Sequence, residues 1–212
     1  MSLNWEHIPI ADCGEPLLSV AEAGLAGAPA YFAMGLSADP VLRLRSGVLR
    51  RLQAVQAALR PQGLQLLVLD GHRPRAVQQA LYTRHLDALR QAHPEWDEPG
   101  LHAQAARYVT PPDRPGRRVL PHLTGGAVDL TLADAQGQAL DMGTAFDDFT
   151  ARSATLSLDV PPACRARRHL LLQAMMAQGF ANYPEEWWHF GWGDPMSALL
   201  LGQPQAVYGE VE

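Results

Sequence analysis

Between residues 48 and 70 the hydrophobic pattern changes period, and that change limits the fold more than any other feature of the chain. Val48, Leu52, Val55 and Leu59 recur at helical spacing and form one apolar stripe. Pro61-Gln62-Gly63 then stops the helix, and residues 65–70 follow as a short apolar run bounded by turn residues, the pattern of a buried strand. Pro74 holds Arg73 extended and opens a second helix over 75–92, which ends before Pro94. A third helix is expected over 101–108, and the proline-rich run 111–118 reads as loop. Residues 127–142 alternate about a turn at 134–137, as in a hairpin, 162–178 read as a helix, and 187–192 read as an aromatic strand before a polar tail. The first 40 residues, rich in Ala, Gly and Pro, read as an irregular arm with a short strand near Tyr31 and Phe32. Helices grouped early, with a hairpin and a strand late, point to an α+β fold rather than a doubly wound sheet. At 212 residues the chain is expected to form one domain, 1–212, with its chemistry between 65 and 192. A chain of this length needs neither a disulfide nor a metal merely to fold.

The charges exclude several functions. All 17 basic residues are arginine, so lysine Schiff bases and Walker-type phosphate binding are ruled out. A net charge of −5 with no basic block argues against nucleic acid as a partner. No apolar stretch reaches membrane-spanning length, and the first residues lack the basic start and apolar run of an export signal. A cytoplasmic location is therefore expected, with Cys13 and Cys164 as reduced thiols.

Three segments carry candidate chemistry. In Pro121-His122-Leu-Thr-Gly-Gly-Ala-Val-Asp129, a straight strand would hold the histidine and aspartate about 23 Å apart. Gly125-Gly126 between them permits the reversal that would bring them together. Asp129 falls on the face opposite Val128, Leu130 and Leu132, where an acid is either solvated or used. In Glu185-Glu186-Trp187-Trp188-His189-Phe190, ionisable groups lie among aromatics and need partners if buried. The bland alternative is a core histidine beside a solvated turn. Glu186 and His189 can share a site only if Glu186 sits at a bend before the strand. In Asp70-Gly-His-Arg-Pro74, at a strand end, Arg73 suits an oxyanion or a carboxylate, although by itself it also fits a plain turn. No HExxH, GxSxG, CxxC or P-loop competes with these segments.

The segments DGHRP (70–74), HLTGGAVDLTL (122–132), DMGTAFDDF (141–149) and EEWWHF (185–190) together resemble the VanX-type zinc D-alanyl-D-alanine dipeptidases, in the order and spacing of that family. The resemblance implies an α+β fold with a central antiparallel sheet flanked by helices. It implies one Zn2+ held by His122, Asp129 and His189, with water as fourth ligand. Glu186 matches the general base and later acid, Arg73 the arginine that stabilises the oxyanion, and Asp147 the acid that pairs with the substrate's ammonium group. The implied partner is a small dipeptide, with no nucleic acid or membrane, and homo-oligomerisation stays open. One position departs from the pattern: Leu120 stands where the family usually has a serine, two residues before the first zinc histidine. Two other readings remain at this point, a related peptidoglycan carboxypeptidase or endopeptidase and a non-catalytic zinc-stabilised binding module. A structural zinc site has no use for an unliganded glutamate, so Glu186 discriminates between enzyme and module.

Overall fold

The helical stripe and the apolar run meet in one core. A computed structural model describes residues 5–112 and 119–211, so most of the run 111–118 read as loop lies outside the described residues. The chain forms β1 (Leu17–Ser19), β2 (Ala26–Gly27), α1 (Ala30–Ala33), β3 (Arg43–Arg45), α2 (Ser46–Leu59), β4 (Leu64–Asp70), α3 (Arg75–Ala92) and α4 (Glu98–Ala105). After these come β5 (Ala127–Asp134), α5 (Pro162–Met176), β6 (Ala181–Asn182), β7 (His189–Gly191) and α6 (Pro195–Leu200). Five strands form the main sheet in the order β2-β4-β5-β7-β6, antiparallel except for the β2–β4 pair, while β1 and β3 form a separate ribbon. The fold is α+β.

The two faces of β5 do different work. Val128, Leu130 and Leu132 join the main core with Val48, Leu52, Val55 and Leu59 of α2 and Leu171 and Met175 of α5. These side chains are fully or nearly fully buried, and the transfer of so much apolar surface from water supplies the main drive for closing this layer. Asp129 and Thr131 point to the other face. There, α3 and α4 carry a second apolar cluster that includes Tyr31, while Trp5, Leu120 and Leu123 form a third beside α6.

Four local expectations need correction. The hairpin over 127–142 has one true strand, because β5 is already flanked by β4 and β7. The returning chain therefore pairs only beyond the end of β7, through one bridge, Ala133 to Ala139, and the Leu140 N–H donating to Leu132. Tyr31 and Phe32 lie in a single helical turn rather than a strand. The third helix begins earlier, at Glu98, because the Asp97 side chain accepts the Gly100 N–H and caps it. The supposed polar tail contains α6, capped by Asp194 with Pro195 at its first position, and then the fully buried Tyr208.

Candidate metal centre and catalytic cleft

Strand register puts the acids and one histidine in a row. Asp129 on β5 lies opposite His189 on β7 and opposite Asp70 on β4, so the three side chains leave one sheet face from adjacent strands. An irregularity between Val68 and Asp70 skips Leu69 and re-aims Asp70 into that row. His122 comes from a 3-10 turn, Pro121–Thr124, and reaches the row because Gly125 reverses the chain at φ 69°. A Cβ on Gly125 would also collide with Leu17. The reversal expected between His122 and Asp129 is thus made at the first of the two glycines.

His122 Nε2 lies 3.2 Å from His189 Nδ1 and 3.3 Å from Asp129 Oδ1, and the last two atoms are 3.0 Å apart. Zinc–ligand bonds of about 2.0–2.1 Å in a tetrahedron imply ligand separations of about 3.3–3.4 Å. The triangle therefore fits one small tetrahedral cation with a fourth position open. His122 Nδ1 lies 2.8 Å from the Gly71 carbonyl oxygen, which accepts its proton in the neutral ring and leaves Nε2 as a lone pair facing the Asp129 carboxylate. Two acceptors facing each other in a buried site call for a cation between them. All three residues are buried, and theirs is a group of metal-binding geometry among the described residues. Burial by itself would raise the Asp129 carboxyl, and positive charge on its His122 and His189 side, which a bound cation would equally supply, brings it well below the usual carboxylate range.

Glu186 sits at the bend its spacing demanded. Its N–H donates to the Tyr183 carbonyl before β7 starts, and its carboxylate Oε2 lies 4.0 Å from His189 Nδ1. The side chain keeps 18 % exposure, opening onto the cleft. Burial pushes its carboxyl up to about 8, with the charges of Asp129 and Asp147 adding to the effect. Glu185, its neighbour, is exposed.

Arg73 is buried rather than a surface turn residue, and each of its three nitrogens has a partner. Nε and Nη2 lie 2.9 and 2.8 Å from Asp70 Oδ2, Nη2 lies 3.3 Å from Asp129 Oδ2, and Nη1 donates to Gln78 Oε1 at 2.9 Å. The guanidinium also lies 4.5 Å from the centre of the Tyr31 ring. Three of its five N–H donors make hydrogen bonds among the described residues, leaving one on Nη1 and one on Nη2, the latter in ion-pair contact with Asp70. Asp129 thus joins both halves of the site, Oδ1 facing the histidines and Oδ2 facing Arg73.

Asp147 accepts a hydrogen bond from the Tyr31 hydroxyl at 3.0 Å and adopts φ 58°, a left-handed conformation that Asp tolerates better than most residues. Burial raises its carboxyl to about 7, against the pull of Arg73. All six residues singled out by the sequence, His122, Asp129, His189, Glu186, Arg73 and Asp147, line one cleft of about 820 Å³. Tyr31, Asp70 and Gln78 went unassigned. Asp70 and Gln78 could have been found by asking what partners a buried arginine needs, whereas Tyr31 reaches Asp147 across 116 positions and leaves no local signal.

The sequence matches the family described as D-ala-D-ala dipeptidase over residues 44–204. It is 34% identical over 236 aligned residues to a D-alanyl-D-alanine dipeptidase of Synechocystis sp., covering 97% of this chain and 95% of that one. It is 36% identical over 139 residues to the D-alanyl-D-alanine dipeptidase of Escherichia coli K12, covering 66% and 61%. Among solved structures, a vancomycin-resistance D,D-pentapeptidase, VanY, in complex with Zn(II) aligns with a TM-score of 0.52 over 96% of this chain and 97% of that one, at 16% identity. VanYB in complex with D-alanine-D-alanine aligns at 0.50 over 76% and 80%, at 18% identity. Those two likenesses concern the fold. Extent of match and identity together establish that the chain belongs to the D-alanyl-D-alanine dipeptidase family of peptidases.

Proposed function

We propose that this protein is a zinc-dependent dipeptidase that hydrolyses D-Ala-D-Ala, with zinc held by His122, Asp129 and His189. The observation that carries the reading is the near-equilateral triangle of donor atoms with an unliganded Glu186 carboxylate 4.0 Å from one corner. When bound, zinc supplies Lewis-acid polarisation of a carbonyl and makes water at its open position more acidic. Glu186 removes a proton from the attacking water and delivers it to the departing amine, a role suited to an unliganded carboxylate beside the triangle. The remaining Nη1–H of Arg73 donates to the oxygen on which negative charge develops, and its fixed partners mean that little reorganisation is needed. Asp147, partnered by a phenol rather than a cation, takes the substrate's free ammonium group. That pairing rewards a dipeptide, because a longer or blocked chain places a neutral amide at the carboxylate.

The test combines substrates with a variant. The zinc-loaded protein should release alanine from D-Ala-D-Ala, and act far more slowly on L-Ala-L-Ala and N-acetyl-D-Ala-D-Ala. Chelation should abolish the activity. Glu186→Gln should retain one zinc per chain while turnover falls at least about 100-fold. Chelator-insensitive cleavage, faster cleavage of the acetylated compound, or a fully active Glu186→Gln enzyme would overturn the assignment.

A further inference from the structure

The cleft is walled at two ends by different apolar clusters. At one end stand Tyr31, Leu81 and Phe149, which belong to the cluster built on α3 and α4. Tyr31 follows β2 at one edge of the sheet and carries the hydrogen bond to Asp147. At the other end stand Trp5, Leu120 and Met196, from the cluster beside α6, and α6 packs against β6 and β7 at the opposite edge. The donor triangle, on β5, β7 and the turn before β5, lies between them.

A dipeptide held by its ammonium at Asp147, with its scissile carbonyl between the triangle and Arg73, must extend its second residue away from the Tyr31 end. We propose that the Trp5–Leu120–Met196 wall receives the side chain of that leaving residue, and that it favours an apolar D-residue larger than alanine. This inference rests on the dipeptidase reading above. Leu120 presents hydrocarbon, Met196 only a thioether besides, and Trp5 a single indole N–H, so the wall solvates a polar side chain poorly. Each is only 7% exposed and belongs to a packed cluster, so the wall is preformed rather than assembled by the ligand. Met196, only partly buried, is the part of the wall left open, and an isobutyl or benzyl group covers more of it than a methyl group and displaces water. Size agrees: about 820 Å³ is in the range that serves ligands far larger than two alanines. Leu120, two residues before His122, is the specificity-determining position because it joins this wall to the metal-binding turn.

The test compares kcat/KM of the zinc-loaded enzyme for D-Ala-D-Ala, D-Ala-D-Ser, D-Ala-D-Leu and D-Ala-D-Phe. D-Ala-D-Leu or D-Ala-D-Phe should exceed D-Ala-D-Ala by about tenfold, the discrimination a few buried carbons provide. D-Ala-D-Ser should gain nothing. In Leu120→Ser and, separately, Met196→Ala, the ratio of D-Ala-D-Leu to D-Ala-D-Ala should fall several-fold. The unmodified enzyme decides the matter even if a variant fails to fold. Cleavage of D-Ala-D-Ala as fast as or faster than both larger dipeptides overturns this inference alone. Failure to cleave any member of the panel overturns the dipeptidase reading, and this inference with it.

Discussion

Asp147 combines two costs in one residue, a positive φ and a carboxyl that burial holds at about 7. In the unfolded chain the same group titrates near 3.8, so the folded state binds the extra proton between the two values. Stability therefore falls as pH rises from about 4 towards 7 and levels off above it. Asn keeps the left-handed backbone and the polar shape but removes the charge. Asp147→Asn should raise the melting temperature of the metal-free protein at pH 8, by about 2–4 °C for each kcal/mol relieved, with the gain vanishing near pH 4. The same variant should lose most activity on D-Ala-D-Ala, because a neutral amide no longer pairs with the ammonium. Thermal melts at the two pH values together with kcat/KM check both halves. A lower melting temperature at pH 8 would show that the charge is well accommodated. Arg73 presents the opposite case, since removing it would leave Asp70 and Asp129 buried without their cation. Arg73→Ala should destabilise the fold by about 3–5 kcal/mol, measurable by denaturant titration.

Among the elements, those defined by an uninterrupted period were legible. Helices α2, α3 and α5 and strand β4 lie where their stripes and stop signals place them, within one or two residues. The bend at Glu186 was legible too, because three-residue spacing cannot serve one face of a strand. What the sequence concealed is set by distant partners. The return arm after β5 alternates like a strand, but the ladder it would join is already occupied by β7. Tyr31 has an unremarkable neighbourhood and gains its place from Arg73 and Asp147. Helix α6 is only six residues long, too short for a period, though its Asp-Pro start was a readable cap signal. At this scale Gly125 is the hinge between the turn carrying His122 and the strand carrying Asp129. Gly125→Ala should cost more than about 1 kcal/mol from the backbone conformation, with the clash against Leu17 added. Zinc affinity should fall with it, as isothermal titration would show. A normally stable variant with unchanged zinc binding would mean that the turn is not what joins the two ligands.

At the scale of the whole molecule, the row of Asp70, Asp129 and His189 lies on one sheet face while the main core fills the other. Folding of the core should therefore survive chelation, but with less margin. Ligand binding to the native state alone contributes about 4 kcal/mol at a thousandfold excess over Kd. For a chain of this length that corresponds to about 8–16 °C in melting temperature. Chelation should lower the transition by that order without altering far-ultraviolet circular dichroism, and added zinc should restore it. No helix among the described residues is long and apolar enough to cross a membrane.

The outermost strands of the main sheet, β2 and β6, are two residues long each. An exposed strand edge is a template on which another chain can continue the ladder, and amyloid growth exploits that continuation. Two residues give such a chain almost nothing to register against. Association between copies of this protein through the edges of the main sheet is therefore disfavoured, and mild heating that leaves that sheet intact should produce little fibrillar material.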